Sequence, residues 1–251
     1  MKQFILSIGF SAVVFCIQAQ TKPAPAKMTE PVQAPAQKDS TPFELKVYQN
    51  AMLFGDLQVA KNEIYQLLTK YPDNLGYMDS LARIYFSLNA YPQSLLASKI
   101  VLEKDQRNTP MLELSAISYD ALGSKKEALE AYEKLYGITK RIDHQYQIAV
   151  LQYSLKRFGE CEVSTNEILA NPKAEQEKMN INIDNQNSQE VPMKAAVLNL
   201  RGVLYKEMGQ NDKAKDAFEQ SIKIMPDFAL AKANLELLNK PEEKTEEKKK
   251  K

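Results

Sequence analysis

Residue types recur along this chain in a fixed order, at intervals of about 34 positions. In the clearest copy, Gly202 is followed by Gly209, Ala214, Phe218 and Pro226. Earlier copies contain Tyr119, Gly123, Ala128 and Tyr132, then Ala82 and Tyr85, then Gly55, Ala60 and Pro72. A degenerate copy covers about 142–172. A period of this length predicts a solenoid, in which one supersecondary unit is stacked repeatedly on its neighbours.

The order and spacing of these residues resemble the tetratricopeptide repeat, in five copies. The resemblance implies an all-α, right-handed superhelical solenoid of about five antiparallel helix pairs. The expected repeats cover about 42–72, 75–106, 109–140, 142–172 and 193–226, with helices at 42–54 and 57–70, 75–88 and 91–104, 109–122 and 125–138, 142–156 and 158–170, and 193–208 and 211–224. A last helix at about 228–238 is expected to cover the exposed core of repeat five, because solenoids need such a cap to stay soluble.

Each repeated position has a physical reason. Small residues are expected where helices cross closely, namely Ala82, Ala116, Ala149 and Gly202 on first helices and Ala60, Ala128, Cys161 and Ala214 on second helices. The glycines of the series suit the left-handed conformation that ends a helix. Proline cannot continue a helix, so Pro72, Pro172 and Pro226 mark the ends of second helices.

The period is broken once, between repeats four and five, where the step is about 53 residues and about 19 are extra. Within this insertion, near 174–192, the segment from Met179 to Ile183 alternates apolar and polar residues, which indicates a strand. Gln189 to Val191 could return, so the pattern predicts a small β-hairpin that projects from the array; the alternative is a disordered loop. Isolated hairpins are marginally stable, so Ile181 and Ile183 should pack on helices, contact a partner or unfold frequently.

Both ends of the chain have the composition of non-globular segments. Residues 1–19 combine Lys2 with an apolar run and fit a cleavable signal peptide, which predicts a periplasmic or secreted protein of the bacterial envelope. An uncleaved anchor and lipidation at Cys16 are the alternatives. Residues 20–41 are rich in Pro and Ala and predict a disordered linker, and residues 240–251 are a Lys- and Glu-rich tail. The folded part is therefore expected at 42–239, with no membrane span in the mature chain.

Composition argues against most chemistry. The 33 basic residues nearly balance the 32 acidic ones, so no basic field for nucleic acid is expected. One His, two Cys and eight Gly, without a nucleophile or phosphate-binding motif, predict no catalytic residue, no cofactor and no metal. His144 is interpreted as an ordinary surface or interhelix histidine, and Cys161 as a buried structural thiol, with an intermolecular disulfide as the alternative.

The family resemblance places binding on the concave face, at recurring positions of each first helix. Carried onto this sequence, the partner-binding residues are Gln49, Asp79, Arg83, Phe86, Glu113, Asp120, Tyr146, Tyr153, Asn199 and Lys206. The insertion adds Ile181 and Ile183 as a second contact. The family's Lys, Asn and Arg clamp for a terminal carboxylate is absent, since the matching places hold Leu45, Gln49, Asp79 and Arg83. The mixture of aromatic and charged residues instead suits an extended or helical polypeptide.

These observations favour a non-catalytic adaptor of the bacterial envelope that binds a protein or peptide in its groove. The alternative is a structural or chaperone subunit of an export or outer-membrane assembly, with contacts on the convex face or hairpin. An enzyme with a cleft-based activity is the minor alternative. Homo- or hetero-oligomerisation is compatible with each of these hypotheses.

Overall fold

The computed structural model describes residues 41–183 and 187–240, which contain eleven α-helices, one 3₁₀ turn and one two-stranded antiparallel sheet. The predicted signal peptide at 1–19 lies outside the described residues. So do residues 20–40 of the predicted linker and 241–251 of the predicted tail. Residues 184–186, in the predicted turn of the hairpin, also lie outside the described residues.

The helices follow the repeat. In chain order they are α1 Phe43–Leu53, α2 Leu57–Lys70, α3 Leu75–Ser87, α4 Tyr91–Lys104, α5 Thr109–Ala121, α6 Lys125–Thr139, α7 Ile142–Ser154, α8 Phe158–Ala170, α9 Met193–Glu207, α10 Asn211–Ile224 and α11 Ala229–Asn239. Every helix begins and ends within two residues of its predicted bounds. The all-α solenoid of five helix pairs is therefore confirmed.

Consecutive helices pack on each other throughout the array. The first helices also contact one another across repeats, as α3 with α5 and α7 with α9, so they form a layer of their own. The final helix α11 packs on α9 and α10 and buries Phe228 completely. The predicted cap of the last repeat is thus confirmed.

The turn after each first helix has the same backbone conformation in all five repeats. Gly55, Gly123 and Gly209 have φ of 72°, 77° and 73°. The equivalent places hold Asn89 and Lys156, with φ of 56° and 57°. The expected left-handed helix end is therefore kept even where the glycine is lost, because a reversal of the chain is needed there in every repeat.

The predicted small residues lie at close helix crossings. The alanines of this set and Cys161 are fully buried. A Cβ atom placed on Gly202 would overlap the Phe218 ring, so α9 and α10 can approach this closely only around a glycine. Large side chains from the next turn, among them Phe218 and Leu204, fill the remaining space.

The insertion forms the predicted hairpin, from β1 Lys178–Asn182 and β2 Ser188–Pro192, preceded by the 3₁₀ turn Pro172–Glu175. Ile181 pairs with Gln189 and Met179 with Val191. The expectation that it projects from the array is wrong. Val191 is fully buried, and Met179 and Ile181 pack on the core that repeats four and five share. One face of so small a sheet must be covered by apolar contacts to be stable.

Candidate functional site

The candidate site is the exposed side of the first-helix layer, here called the first-helix face, which carries the recurring positions of α1, α3, α5, α7 and α9. Among the predicted residues, Gln49, Arg83 and Lys206 are exposed, while Asp79, Phe86, Glu113, Asp120, Tyr153 and Asn199 are half-buried. Tyr146 differs from the rest. The structure places these residues on successive first helices, as the repeat predicts.

Most of the predicted acids on this face are paired with a nearby cation. The Arg83 guanidinium donates to Asp79, with Nε 2.6 Å from Oδ1. Lys125 Nζ lies 2.6 Å from Asp120 Oδ1. At the start of the next repeat, just before α7, Arg141 Nε donates to Asp143 at 3.1 Å. Each of these carboxylates therefore has a cation beside it. A carboxylate paired in this way attracts a further cation only weakly.

Glu113 is the exception among the predicted acids of this face. Its ion-pair partner among the described residues is His144, whose Nε2 lies 3.8 Å from Glu113 Oε1, and Arg141 acts on it without forming an ion pair. The Glu113 side chain is 40% exposed, so its carboxylate is reachable from solvent. It is therefore the acidic group of this face that is free to accept from a ligand.

The imidazole of His144 does not neutralise Glu113. The side chain is 3% exposed, and burial, followed by the charge of Arg141, holds its pKa below the ordinary 6.5 despite the nearby acids Asp143 and Glu113. Thr139 Oγ1 donates to the Leu135 carbonyl and lies 2.9 Å from His144 Nδ1. Nδ1 is therefore engaged by the Thr139 hydroxyl, while Nε2 faces Glu113 and has no partner within hydrogen-bond distance among the described residues.

Tyr132 lies beneath this cluster, with its ring centroid 6.3 Å from that of His144. Burial, and then the charges of Asp120, Glu113 and Asp143, raise the pKa of Tyr132 to about 12. Burial is the main cause of this shift, and the negative potential of the three acids adds to it at the junction of repeats three and four. A cationic group is the ligand that such a potential attracts.

Aromatic side chains of the predicted set lie on α3 and α7. Phe86 makes an edge-to-face contact with Tyr91, at 5.8 Å between ring centroids, and Tyr153 packs on Phe158 at 6.1 Å. Tyr146 was expected among the binding residues, but it is 8% exposed and belongs to the core cluster with Ile142 and Ala149. Burial raises its pKa to about 12. In this structure Tyr146 is a packing residue, because the hairpin and α9 extend the core over it.

The two ends of the face differ from its centre. At the C-terminal end, Asn234 of α11 donates to Asn199 Oδ1 at 2.9 Å, so the cap already occupies that residue. Lys206 is exposed beyond it, and Gln49 is exposed in repeat one. The section that combines an unpaired carboxylate with half-buried aromatic and apolar side chains runs from α3 to α7.

The two predicted insertion residues have different surroundings. Ile181 packs on the core of repeats four and five, while Ile183 lies just beyond β1, half-buried, and donates its N–H to the Asn187 carbonyl at 2.8 Å. Gln189 was not singled out by the sequence, yet it ties the hairpin to α11. It donates to the Asp227 carbonyl at 2.8 Å and accepts from the Ala229 N–H at 3.1 Å.

Across residues 41–183 and 187–240, no three His, Cys, Asp or Glu side chains are grouped closely enough to hold a metal ion. Within those limits, no helix combines the length and apolarity of a membrane span. Cys161 is fully buried, and burial raises the pKa of its thiol to about 11, so it remains protonated at neutral pH.

The environment of Glu113 was not evident from the sequence. Repeat spacing predicts that Glu113 lies on the first-helix face, but its missing cation depends on Arg141 pairing with Asp143 instead. The burial of His144 depends on the contact between α6 and α7. The one sequence signal for this local pairing is the spacing of Arg141 and Asp143, which lie two positions apart at a predicted helix start.

Comparison with known proteins supports the repeat and the fold. Residues 195–228 match the family model described as tetratricopeptide repeat. A tetratricopeptide repeat protein from Parabacteroides merdae is 18% identical, with a TM-score of 0.62 over 78% of this chain and 70% of that one. YrrB is 13% identical, with a TM-score of 0.61 over 76% and 89% of the two chains.

MamA is similar to the same extent. It is 12% identical, with a TM-score of 0.59 over 73% of this chain and 90% of its own. At these identities the likeness shows the fold alone. No curated protein sequence matches the chain significantly.

Proposed function

We propose that this chain, a tetratricopeptide-repeat protein with the corresponding solenoid fold, is a non-catalytic scaffold whose first-helix face forms a groove for a polypeptide. The observation that carries the proposal is the Glu113 carboxylate, which has no Lys or Arg partner among the described residues, whereas the neighbouring acids Asp79 and Asp120 are each paired with one. Proteins built from this repeat generally act as scaffolds for protein–protein interaction. YrrB, which shares the fold, is described as having an unusual peptide-binding site, and this supports a peptide ligand here.

The groove has a preferred ligand chemistry. A Lys or Arg side chain of the partner would donate to Glu113, whose carboxylate forms no ion pair with a Lys or Arg of the described residues. Half-buried Phe86 and Ile117, on the helices α3 and α5, would supply apolar contact to either side of it. In such interfaces, aromatic side chains usually supply much of the binding free energy, and charged contacts set the register of the partner.

The proposed location is the bacterial envelope. It rests on the signal-like composition of residues 1–19, with Lys2 before an apolar run. The protein would act there after cleavage of this segment, with the linker at 20–41 holding the solenoid away from a neighbouring surface. Fractionation of cells that express the full chain, with N-terminal sequencing of the product, tests this part separately.

Photo-crosslinking in cells tests the groove. A photo-reactive residue at Phe86 would lie in the proposed groove, and one at exposed Lys215 on α10 would lie outside it. A partner captured from Phe86 and absent from Lys215 supports the proposal. Equal capture from both sites, or capture from neither, would contradict a specific groove.

A matched pair of substitutions tests the role of Glu113. With the probe kept at Phe86, Glu113→Gln should reduce capture of the partner about fivefold, since a half-exposed ion pair contributes on the order of 1 kcal/mol. Glu236→Gln changes an exposed carboxylate on α11 that makes no ion pair with the described residues, and it should leave capture unchanged. Equal effects from the two variants would remove Glu113 from the binding site.

A second candidate function is that of a subunit in an envelope assembly. It is favoured by apolar side chains at the outer end of repeat one, where Leu53 and Phe54 are 77% and 83% exposed. Exposed apolar clusters of this kind mark interaction surfaces. A photo-reactive residue at Leu53 that captures a protein, when the probe at Phe86 captures none, would favour this candidate over the groove.

A further inference from the structure

A trough lies between the second helices of repeats two and three, with α5 as its floor. It consists of an outer cavity of 760 Å³ and an adjoining inner cavity of 230 Å³. Leu102 and Leu112 line both cavities, so the apolar floor is continuous. A cavity of the outer one's size falls within the range of sites that bind small molecules, about 300–1,000 Å³.

A serine at a normally apolar position leaves room for the trough. Ser115 lines the inner cavity, whereas the residue 34 positions earlier, Leu81, fills the core of its own repeat. Ser115 is 4% exposed, and its hydroxyl has no hydrogen-bond partner. Ser98 and Ser118 are buried in the same way, but neither of them lines these cavities.

The rim of the trough is basic. Lys99, Arg107 and Lys134 line the outer cavity and form no ion pair within the described residues, and they face one acid, Glu103. Lys99 Nζ is placed over the Tyr119 ring, 5.8 Å from its centroid. In the inner cavity, Lys99 and Lys134 face two acids, Glu127 and Glu130, so the excess of positive charge lies in the outer cavity.

The trough and the first-helix face lie on different sides of α5. Leu112, Ser115 and Tyr119 follow the i, i+3, i+7 spacing of one helix face. Glu113 and Asp120 lie on another face of the same helix, offset by one residue. A ligand in the trough would therefore leave the proposed peptide groove open.

We propose that this trough binds a single-chain anionic amphiphile of the long-chain carboxylate class. The carboxylate would lie in the outer cavity among Lys99, Arg107 and Lys134. The acyl chain would extend over Leu102 and Leu112 toward Ser115. The unpaired cations supply complementary charge for the head group, and the apolar floor supplies the contact for the chain.

Calorimetric titration of the full chain with dodecanoate, below its micelle concentration, tests the proposal. Dodecyltrimethylammonium has the same chain and the opposite charge, so dodecanoate should bind at least about tenfold more tightly. Lys99→Gln and Lys134→Gln should each weaken dodecanoate binding about fivefold. Lys126→Gln lies on the same helix as Lys134 but outside the trough, and it should bind as the parent does.

Ser115→Leu provides a test that does not depend on charge. The larger side chain should fill the inner cavity and abolish dodecanoate binding, while the midpoint of thermal unfolding stays at or above that of the parent. Unchanged binding in this folded variant, equal binding of the two detergents, or unchanged binding in both lysine variants would overturn the proposal. If Ser115→Leu fails to fold, the lysine variants decide. None of these results bears on partner capture at Phe86.

Discussion

At the scale of single residues, the consequence of a side chain depends on where two helices cross. Gly202 and Gly159 are both helical glycines. The Cβ of an alanine at Gly202 would overlap the Phe218 ring, whereas one at Gly159 would meet nothing within 4 Å. Residue type alone does not distinguish these positions, but the repeat register does.

Substitution of these two glycines should therefore have opposite effects. Gly202→Ala forces α9 and α10 apart and should lower the free energy of unfolding by about 1–3 kcal/mol. Gly159→Ala should raise it by up to about 1 kcal/mol, because alanine restricts the unfolded chain. Denaturant titration measures both. Equal destabilisation by the two variants would show that the crossing at Gly202 is looser than described.

The single histidine of the chain makes stability depend on pH in a defined direction. Burial depresses the pKa of His144 in the folded state below 6.5. As pH falls through about 6.5 the unfolded chain takes up a proton that the folded imidazole resists, so the stability from this group is present above that pH and is lost below it.

The expected result is a loss of unfolding free energy between about pH 7 and pH 5 that is larger in the parent than in His144→Gln. The carboxylates titrate in both proteins, so their contribution cancels in the difference. Urea titrations across this range measure it. A parent and a variant that lose stability in parallel would place His144 in a solvated environment instead.

At the scale of elements, the hairpin is part of the fold that holds the last helix in place. Helix α11 has no capping hydrogen bond from its own N-cap residue, Phe228. Gln189 of β2 accepts from the first N–H of that helix, at Ala229, and donates to the Asp227 carbonyl. The insertion thus supplies a cap to a helix 40 residues away in sequence.

Gln189→Ala should lower the free energy of unfolding by about 1 kcal/mol, the usual loss on removing a helix cap. Hydrogen exchange of the α11 amides should quicken in this variant, because the helix loses its tie to the sheet. Asn180→Ala, at an exposed position of the same hairpin, should change neither measurement. Slow α11 exchange in Gln189→Ala would mean that apolar packing of Phe228 alone holds the helix.

At the scale of the whole solenoid, the core is divided into clusters along the array. The largest runs from Ile142 of α7 through Val191 of the hairpin to Ala231 of α11. The cluster around Ile64, in repeats one and two, is separate. Since each repeat contacts its neighbours, stability should vary along the chain.

Amide exchange should therefore be slowest in α9 and fastest in α1. Introducing Gly202→Ala should accelerate exchange from Met193 to Asn239 and leave that of α1 to α4 unchanged. Mass spectrometry of proteolytic fragments resolves the two regions. Uniform acceleration across both would show that the described solenoid unfolds as one cooperative unit.

The sequence by itself determined the helices, their pairing, the cap and the presence of the hairpin. Those features depend on the spacing of residues that are close in the sequence. Examples are Gly202 and Pro226 in the repeat, and the alternation from Met179 to Ile183 in the hairpin. It also placed most of the first-helix face, since positions that recur every three or four residues share one side of a helix.

Only the tertiary structure decided the rest. The burial of Tyr146, the hairpin packed on the core, the free carboxylate of Glu113 and the trough at Ser115 each depend on side chains from distant segments meeting. Which cation pairs with which acid, and which cavity stays unfilled, follows from distances between helices. Those distances arise from packing of the whole array, and no local pattern of residues contains them.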